Sequence, residues 1–138
     1  MIGLSTAMRN SRLQLILDAI DAAGDEYGAG ILSIYSSVRP PTGEALDEYD
    51  IALVEFMLPY PCGTISNGVL TFGAIPDVLA IASGIAVWGR ITDISNNFVA
   101  DLSVTSLVGN GDVKIDDTDI VSGGVVHCNS AILTEGNA

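Results

Sequence analysis

Bases are scarce in this chain: five Lys and Arg face 17 Asp and Glu, giving a formal net charge of −12. A chain so acidic is repelled by phosphate backbones and by anionic membrane surfaces, which argues against nucleic acid and membrane as partners. Aromatics are few, with four Tyr, three Phe and one Trp. There is a single histidine, His127, and only two cysteines, Cys62 and Cys128. Two cysteines make neither a metal-site spacing nor a CxxC motif. One disulfide is conceivable, but two buried thiols behaving as small hydrophobes are the expectation. No apolar run approaches the ~18 residues of a membrane span. The start of the sequence lacks the basic and apolar stretches of a secretory signal, so synthesis and folding in a cytoplasm are expected. Nucleotide-loop, zinc-protease and nucleophile-elbow motifs do not occur.

What is present is small and apolar. Of 138 residues, 49% are hydrophobic, only 16% are charged, and 15 are glycine. The length suits one domain, residues 1–138, with a proper core. A surface with so little charge is suited to burial against a partner.

Residues 5–23 read as the one substantial helix. Leu13, Ile16, Leu17 and Ile20 fall at i, i+3, i+4 and i+7, an apolar stripe on one helical face. Ser5 or Thr6 is placed to cap its start, and Gly24 to stop it. The stripe must pack, either on the chain's own sheet or on a neighbouring subunit. From residue 30 the period changes to 2, and residues 30–135 read as a β-sandwich. Expected strands are Ile31 to Ser36, Ile51 to Leu58 and Val69 to Ile75. A hairpin of Ile85–Ile94 and Phe98–Val104 follows, joined by Ser95-Asn96-Asn97. Asn67-Gly68 and Asn110-Gly111 are turn dipeptides. Val78 to Ala82 fits a helical turn or a buried strand equally. The tail reads as Asp112-Val113-Lys114-Ile115, then strand, double-glycine turn and strand over Ile120–Val126, then a last strand from Ala131 to Asn137. Seven or eight short strands with turns between them are the pattern of an antiparallel β-sandwich or barrel.

Candidate sites are sparse. Asp112, Asp116, Asp117 and Asp119 bring oxygen ligands close enough for Ca²⁺, but without the EF-hand glycine or closing glutamate they read better as a solvated turn. Glu44, Asp47, Glu48 and Asp50 form a second acidic stretch, with no spacing that specifies acid–base work. His127 and Cys128 are strand neighbours and point to opposite faces, a poor geometry for a nucleophile pair. Trp88 and Arg90 share a strand face, so the guanidinium can stack on the indole. Trp88, Tyr35 and Tyr60 are the candidate platforms for a sugar ring, against a plain reading of Trp88 at the core's edge. Arg9, Arg12 and Arg39 are candidates either for docking onto a partner's carboxylates or for internal pairing. No catalytic, cofactor-binding or metal residues are assigned, and no enzyme activity is expected.

Several segments in fixed order resemble a family of small proteins from tailed-bacteriophage structural gene clusters. They are Leu4-Ser5-Thr6-Ala7-Met8-Arg9-Asn10-x-Arg12-Leu13, then Leu32-x-Ile34-Tyr35 with Arg39-Pro40 and Gly43. Ala86-x-Trp88-x-Arg90-Ile91-x-Asp93, Ile120-Val121-x-Gly123-Gly124 and Ala131-x-Leu133-Thr134-Glu135-Gly136-Asn137 follow. The resemblance implies a virion component on the capsid surface: a decoration or cement protein with a jelly-roll-like antiparallel β-sandwich and one N-terminal amphipathic helix. It would be made in the host bacterial cytoplasm, bind the major capsid protein and self-associate as a homodimer or homotrimer. The contact residues expected from the helix and its basic neighbours are Arg9, Arg12, Leu13, Ile16, Leu17, Ile20 and Arg39. A neck, tail or baseplate protein and a carbohydrate-binding sandwich are the competing roles.

Overall fold

The structure, a computed structural model, describes residues 2–135. It is mainly β, with 40% strand and 12% helix, and sandwich-like. One helix, α1 (Thr6–Asp21), is followed by strands β1 (Ile31–Tyr35), β2 (Ala52–Met57), β3 (Gly63–Ser66), β4 (Val69–Phe72), β5 (Val78–Leu79) and β6 (Gly84–Ile85). Then come β7 (Trp88–Thr92), β8 (Phe98–Ser106), β9 (Val113–Ile115), β10 (Asp119–Ile120), β11 (Val125–Val126) and β12 (Cys128–Thr134). Eight of them make one curled sheet in the order β2-β1-β7-β8-β9-β12-β4-β3. The other four make two small sheets, β10-β6 and β11-β5.

The helix starts where a side chain can satisfy its free amides. Ser5 Oγ accepts a hydrogen bond from the Met8 N–H at 3.2 Å, the N-cap role expected of it. Leu13 and Ile20 are fully buried, and Ile16 and Leu17 pack half-buried against the same core. The helix touches β3, β4 and β8. Since β9 and β12 lie between β8 and β4 in the sheet, the sheet must curl around the helix to bring both sides to it. The stripe is therefore covered by the chain's own sheet, one of the two settings expected for it. Its C-terminal stop differs from expectation: Ala23, not Gly24, takes the left-handed conformation, at φ 60°. Gly24 is glycine for space, because a Cβ there would lie 2.7 Å from the Tyr60 ring.

The central strands have two covered faces. Leu32, Ile34, Ile91 and Leu102 are buried on the inner one. On the other, neighbouring strands align Ser33, Arg90 and Asp101 in one row and Tyr35, Trp88 and Ser103 in the next. The β7–β8 hairpin is the one expected, but its first strand begins at Trp88: Ile85, expected in it, belongs to β6 and pairs with β10. The hairpin bend is organised by Asp93, whose Oδ1 accepts from the Ser95 and Asn97 amides at 2.9 and 2.8 Å. Asn67 and Gly68, at φ 53° and 75°, make the expected turn as a two-residue hairpin loop that pairs Ser66 with Val69.

Three further features depart from expectation. Strand β3 lies where none was expected. The expected hairpin about the double glycine does not form: β10 pairs with β6 and β11 with β5. The Val121–Gly124 turn closes, with the Gly124 N–H on the Val121 carbonyl. The backbone of the 78–86 segment then takes the flanking residues as partners, for example Ala80 N–H to Gly124 O at 2.8 Å. Finally, β8 and β9 are parallel, with Val104 opposite Val113. Parallel neighbours ordinarily need a crossover of about a dozen residues. Here residues 107–112 suffice because the loop folds flat over Thr105. The Gly111 N–H donates to Thr105 Oγ1 at 3.0 Å, and Asp112 Oδ2 accepts from the Ser103 amide and hydroxyl at 3.1 and 3.0 Å. The expected final strand is present through Thr134; its continuation through Gly136-Asn137 lies outside the described residues.

A Cβ on Gly111 would sit 2.8 Å from Thr105 Oγ1 and 2.9 Å from the Thr105 nitrogen, whereas one on Gly3 meets nothing. Gly111→Ala should therefore destabilise the fold by about 1–3 kcal/mol and Gly3→Ala should not. Urea midpoints of the two variants check this, and equal midpoints would remove the close-packed crossover.

Candidate contact surfaces

The N-terminal arginines act first within the chain. Arg9 donates from Nη1 to the Glu135 carbonyl at 3.4 Å and from Nη2 to Thr6 Oγ1 at 3.2 Å. Arg12 pairs with the Glu135 carboxylate at 3.2 Å, its side chain 55% exposed. Asn10 Oδ1 accepts from the Gly68 N–H at 2.8 Å, and Gly68 O accepts from the Glu135 N–H at 2.9 Å. One turn of helix thus ties the β3–β4 loop to the residue that follows β12. Arg39 donates to the Asp101 carbonyl at 3.0 Å. All three arginines raised as docking candidates make contacts inside the molecule, and Arg12 also keeps half its side chain in solvent.

Arg90 is the centre of the second cluster. Its Nε and Nη2 donate to the two carboxylate oxygens of Asp101 at 2.7 and 3.0 Å, and Nη1 donates to the Glu44 carbonyl at 2.8 Å. The guanidinium carbon lies 5.4 Å from the Trp88 ring centre and 5.0 Å from that of Phe98, so the stacking expected on Trp88 is present. Tyr35 stacks on Trp88 at 4.6 Å. Trp88 Nε1 donates to Ser37 Oγ, which in turn donates to Asp50 Oδ1 at 2.6 Å. The Gly43 N–H donates to Asp101 Oδ2 at 3.0 Å. These bonds fasten residues 37–50 across the outer face of β1, β7 and β8, leaving a cavity of about 270 Å³ beside Tyr35, Leu46, Arg90 and Phe98. Trp88 is 1% exposed and Tyr35 is also buried, so neither offers a ring to a sugar. Of the three proposed platforms only Tyr60 stands in solvent. The second acidic stretch is turn chemistry: Asp50 accepts from the Asp47 N–H and Asp47 from the Tyr49 N–H.

The remaining candidates do not converge. Both thiols are free and buried, as expected. Burial and the nearby Asp21 push Cys62 up to about 12, and burial pushes Cys128 up to about 11, so neither is a nucleophile at neutral pH. His127 Nδ1 lies 2.5 Å from Asp77 Oδ1, and that carboxylate raises its pKa. Asp112 is committed to Ser103. Asp116 accepts from Asn129 at 2.6 Å, and Asp117 from the Asp119 N–H at 2.9 Å. Among the described residues no three His, Cys, Asp or Glu side chains are grouped to hold a metal ion. Comparison with family models, curated proteins and solved structures finds no match to this chain.

One surface was not anticipated. The two small sheets turn Leu79, Ile85, Val121 and Val125 into solvent, and Leu79 and Val125, 61% and 69% exposed, are cross-strand partners. The signal in the sequence was two apolar runs, 78–82 and 120–126, in which exposed and buried residues look alike.

Removing one partner of a buried, bidentate ion pair leaves the other charge uncompensated, at a cost of about 3–5 kcal/mol. Asp101→Asn should lower unfolding stability by that order, and more than Arg90→Met/Asp101→Leu, in urea titration. The same carboxylates set an acid limit. Burial pushes Asp101 up, but hydrogen bonds from Arg90 and the Gly43 N–H outweigh it and hold the carboxyl below its ordinary 3.8. Asp50, through Ser37, and Asp93, through Asn97, are also lowered. Depressed native pKa values contribute stability above the unfolded value and lose it as pH falls through the native ones. The urea midpoint should therefore drop below pH ~4, less steeply in Asp101→Asn. His127, raised by Asp77, contributes below its unfolded 6.5 and loses that as pH rises through its native value.

Proposed function

We propose that this protein is a structural component of a virion: a capsid decoration or cement protein that binds the outer shell, contacts the major capsid protein and self-associates as a dimer or trimer. The observation that carries the reading is how much large apolar side chain stands in solvent on a body with so little charge. Val108 and Val38 are 96% and 90% exposed, and Tyr27, Tyr49 and Leu15 are also exposed. Leu79 and Val125, exposed as well, are cross-strand partners, and adjoining exposed apolar side chains favour a protein that lives against a partner. A lattice offers many such contacts at once, and weak interfaces on one rigid shell reinforce each other. The helix clamp and the fastened 37–50 segment would give the rigid body that role requires, and the ordered segments resembling phage structural proteins point the same way. Arg12 and Arg39, both exposed, are the arginines of the expected contact set that could reach a neighbour.

Copy number tests it. In purified particles of the source virus the protein should stand at a ratio near one, or a simple fraction such as one third, to the major capsid protein by quantitative mass spectrometry. A few copies per particle would move it to the neck, tail or baseplate, and absence from the particle would end the structural reading.

A further inference from the structure

We infer that the face formed by the two small sheets is a docking surface for a protein partner with an apolar centre ringed by Lys and Arg. Along β10, the residue that follows it, and β11, burial alternates sharply. Ile120 and Val126 are buried, while Val121 and Val125 next to them stand in water. The small sheets thus give Ile120 and Val126 to the core and turn Leu79, Ile85 and Val125 outside. A sheet that faces water on one side ordinarily turns polar side chains to it. Here that face carries Leu79, Val121, Val125 and Ile85 instead.

The rim of the face is acidic. Asp116, Asp117, Asp119 and His127 line the same cavity of about 220 Å³ as Val121 and Val125. Asp119 is the cross-strand partner of Ile85, and Asp77 sits on His127. Four carboxylates therefore face one imidazole. The groups that bond Asp116 and Asp117 are a side-chain amide and a backbone N–H, so those contacts leave their charge uncompensated.

That charge selects the occupant. A second copy placed symmetrically on this face would set the same acids against each other. The chain is also poor in bases to offer a second copy: it has five, and four of them, Arg9, Arg12, Arg39 and Arg90, already contact its own carbonyls and carboxylates. Nucleic acid and anionic lipid carry the wrong sign. A basic-rimmed protein surface matches both the apolar centre and the rim.

The probe is a fluorescein-labelled amphipathic peptide of leucine and lysine, titrated with the full chain by fluorescence anisotropy. Binding should weaken with added salt. It should fall by about tenfold or more in Leu79→Ser/Val125→Ser and severalfold in Asp116→Asn/Asp117→Asn/Asp119→Asn. Leu15→Ser, an exposed apolar change elsewhere, should leave it unaltered. All these side chains are at the surface, and melting curves verify that the variants fold. Equal binding of the matching leucine–glutamate peptide, equal loss in Leu15→Ser, or no binding would overturn the proposal. So would dimerisation in sedimentation velocity that Leu79→Ser/Val125→Ser abolishes, because it would make a second copy the occupant. The assay contains no virion component, so its result and the particle copy number fail independently.

Discussion

A guanidinium shut away from water must find all its partners in the chain, and around Arg90 the chain supplies them from three separate stretches. The carboxylate comes from the neighbouring strand, where Asp101 stands directly across from it. Nη1 donates to the Glu44 carbonyl, and Trp88 and Phe98 lie against the guanidinium. Because Asp101 also receives the Gly43 N–H and its carbonyl receives Arg39, one buried pair fixes both the β7–β8 register and the path of a long loop. Such a pair adds little net stability over a well-packed apolar one, since desolvation offsets most of the attraction. Its effect is on specificity: any shift of register or loop strands a charge.

The same logic recurs at the other end of the sheet. Strand β3 is an edge, short and rich in small polar residues, and would be weak alone. It is held by the helix packed on it and by the Arg9, Asn10 and Arg12 contacts that join its hairpin loop to Glu135. The helix is therefore less a separate arm than the brace that closes a curled sheet. Its four apolar stripe residues face inward, and Leu15, between them in sequence, faces out.

These dependencies explain what the sequence made legible. Local chemistry was readable: the Ser5 cap, the stripe from Leu13 to Ile20, the Asn67-Gly68 turn, the β7–β8 hairpin and two buried thiols each follow from a few neighbouring residues. Pairings decided at long range were not. Gly63-Thr64-Ile65-Ser66 carries one apolar residue and no strand pattern, yet becomes a strand because β4 folds back on it. The 120–126 stretch looks like a hairpin by every local rule. Its strands instead pair with the 78–85 segment, whose backbone would otherwise lack partners. The parallel crossover depends on two glycines lying over Thr105, a contact with no signature in composition. Of the candidate site residues, pattern placed Trp88 beside Arg90, but it gave no sign that Tyr35 and the 37–50 segment would bury them.

Charge was the most deceptive feature to read from sequence. In a chain with few bases, arginines invite a docking role, because each looks like an exception needing a partner. The fold answers that need internally: every arginine has a carbonyl or carboxylate of its own chain within reach. Acids are too numerous to be matched this way. Several of them, among them Asp21, Asp25, Asp47, Asp50, Asp93, Asp101, Asp112 and Asp117, serve backbone amides, which leaves their negative charge unmatched by any base except at Asp101. The proposed docking face then rests on carboxylates and exposed apolar side chains. Long-range attraction would come from the acids and would weaken with salt. Close fit would come from the apolar face, where burial contributes about 25 cal/mol per Å². The proposed partner would satisfy both, being basic and itself exposing apolar surface.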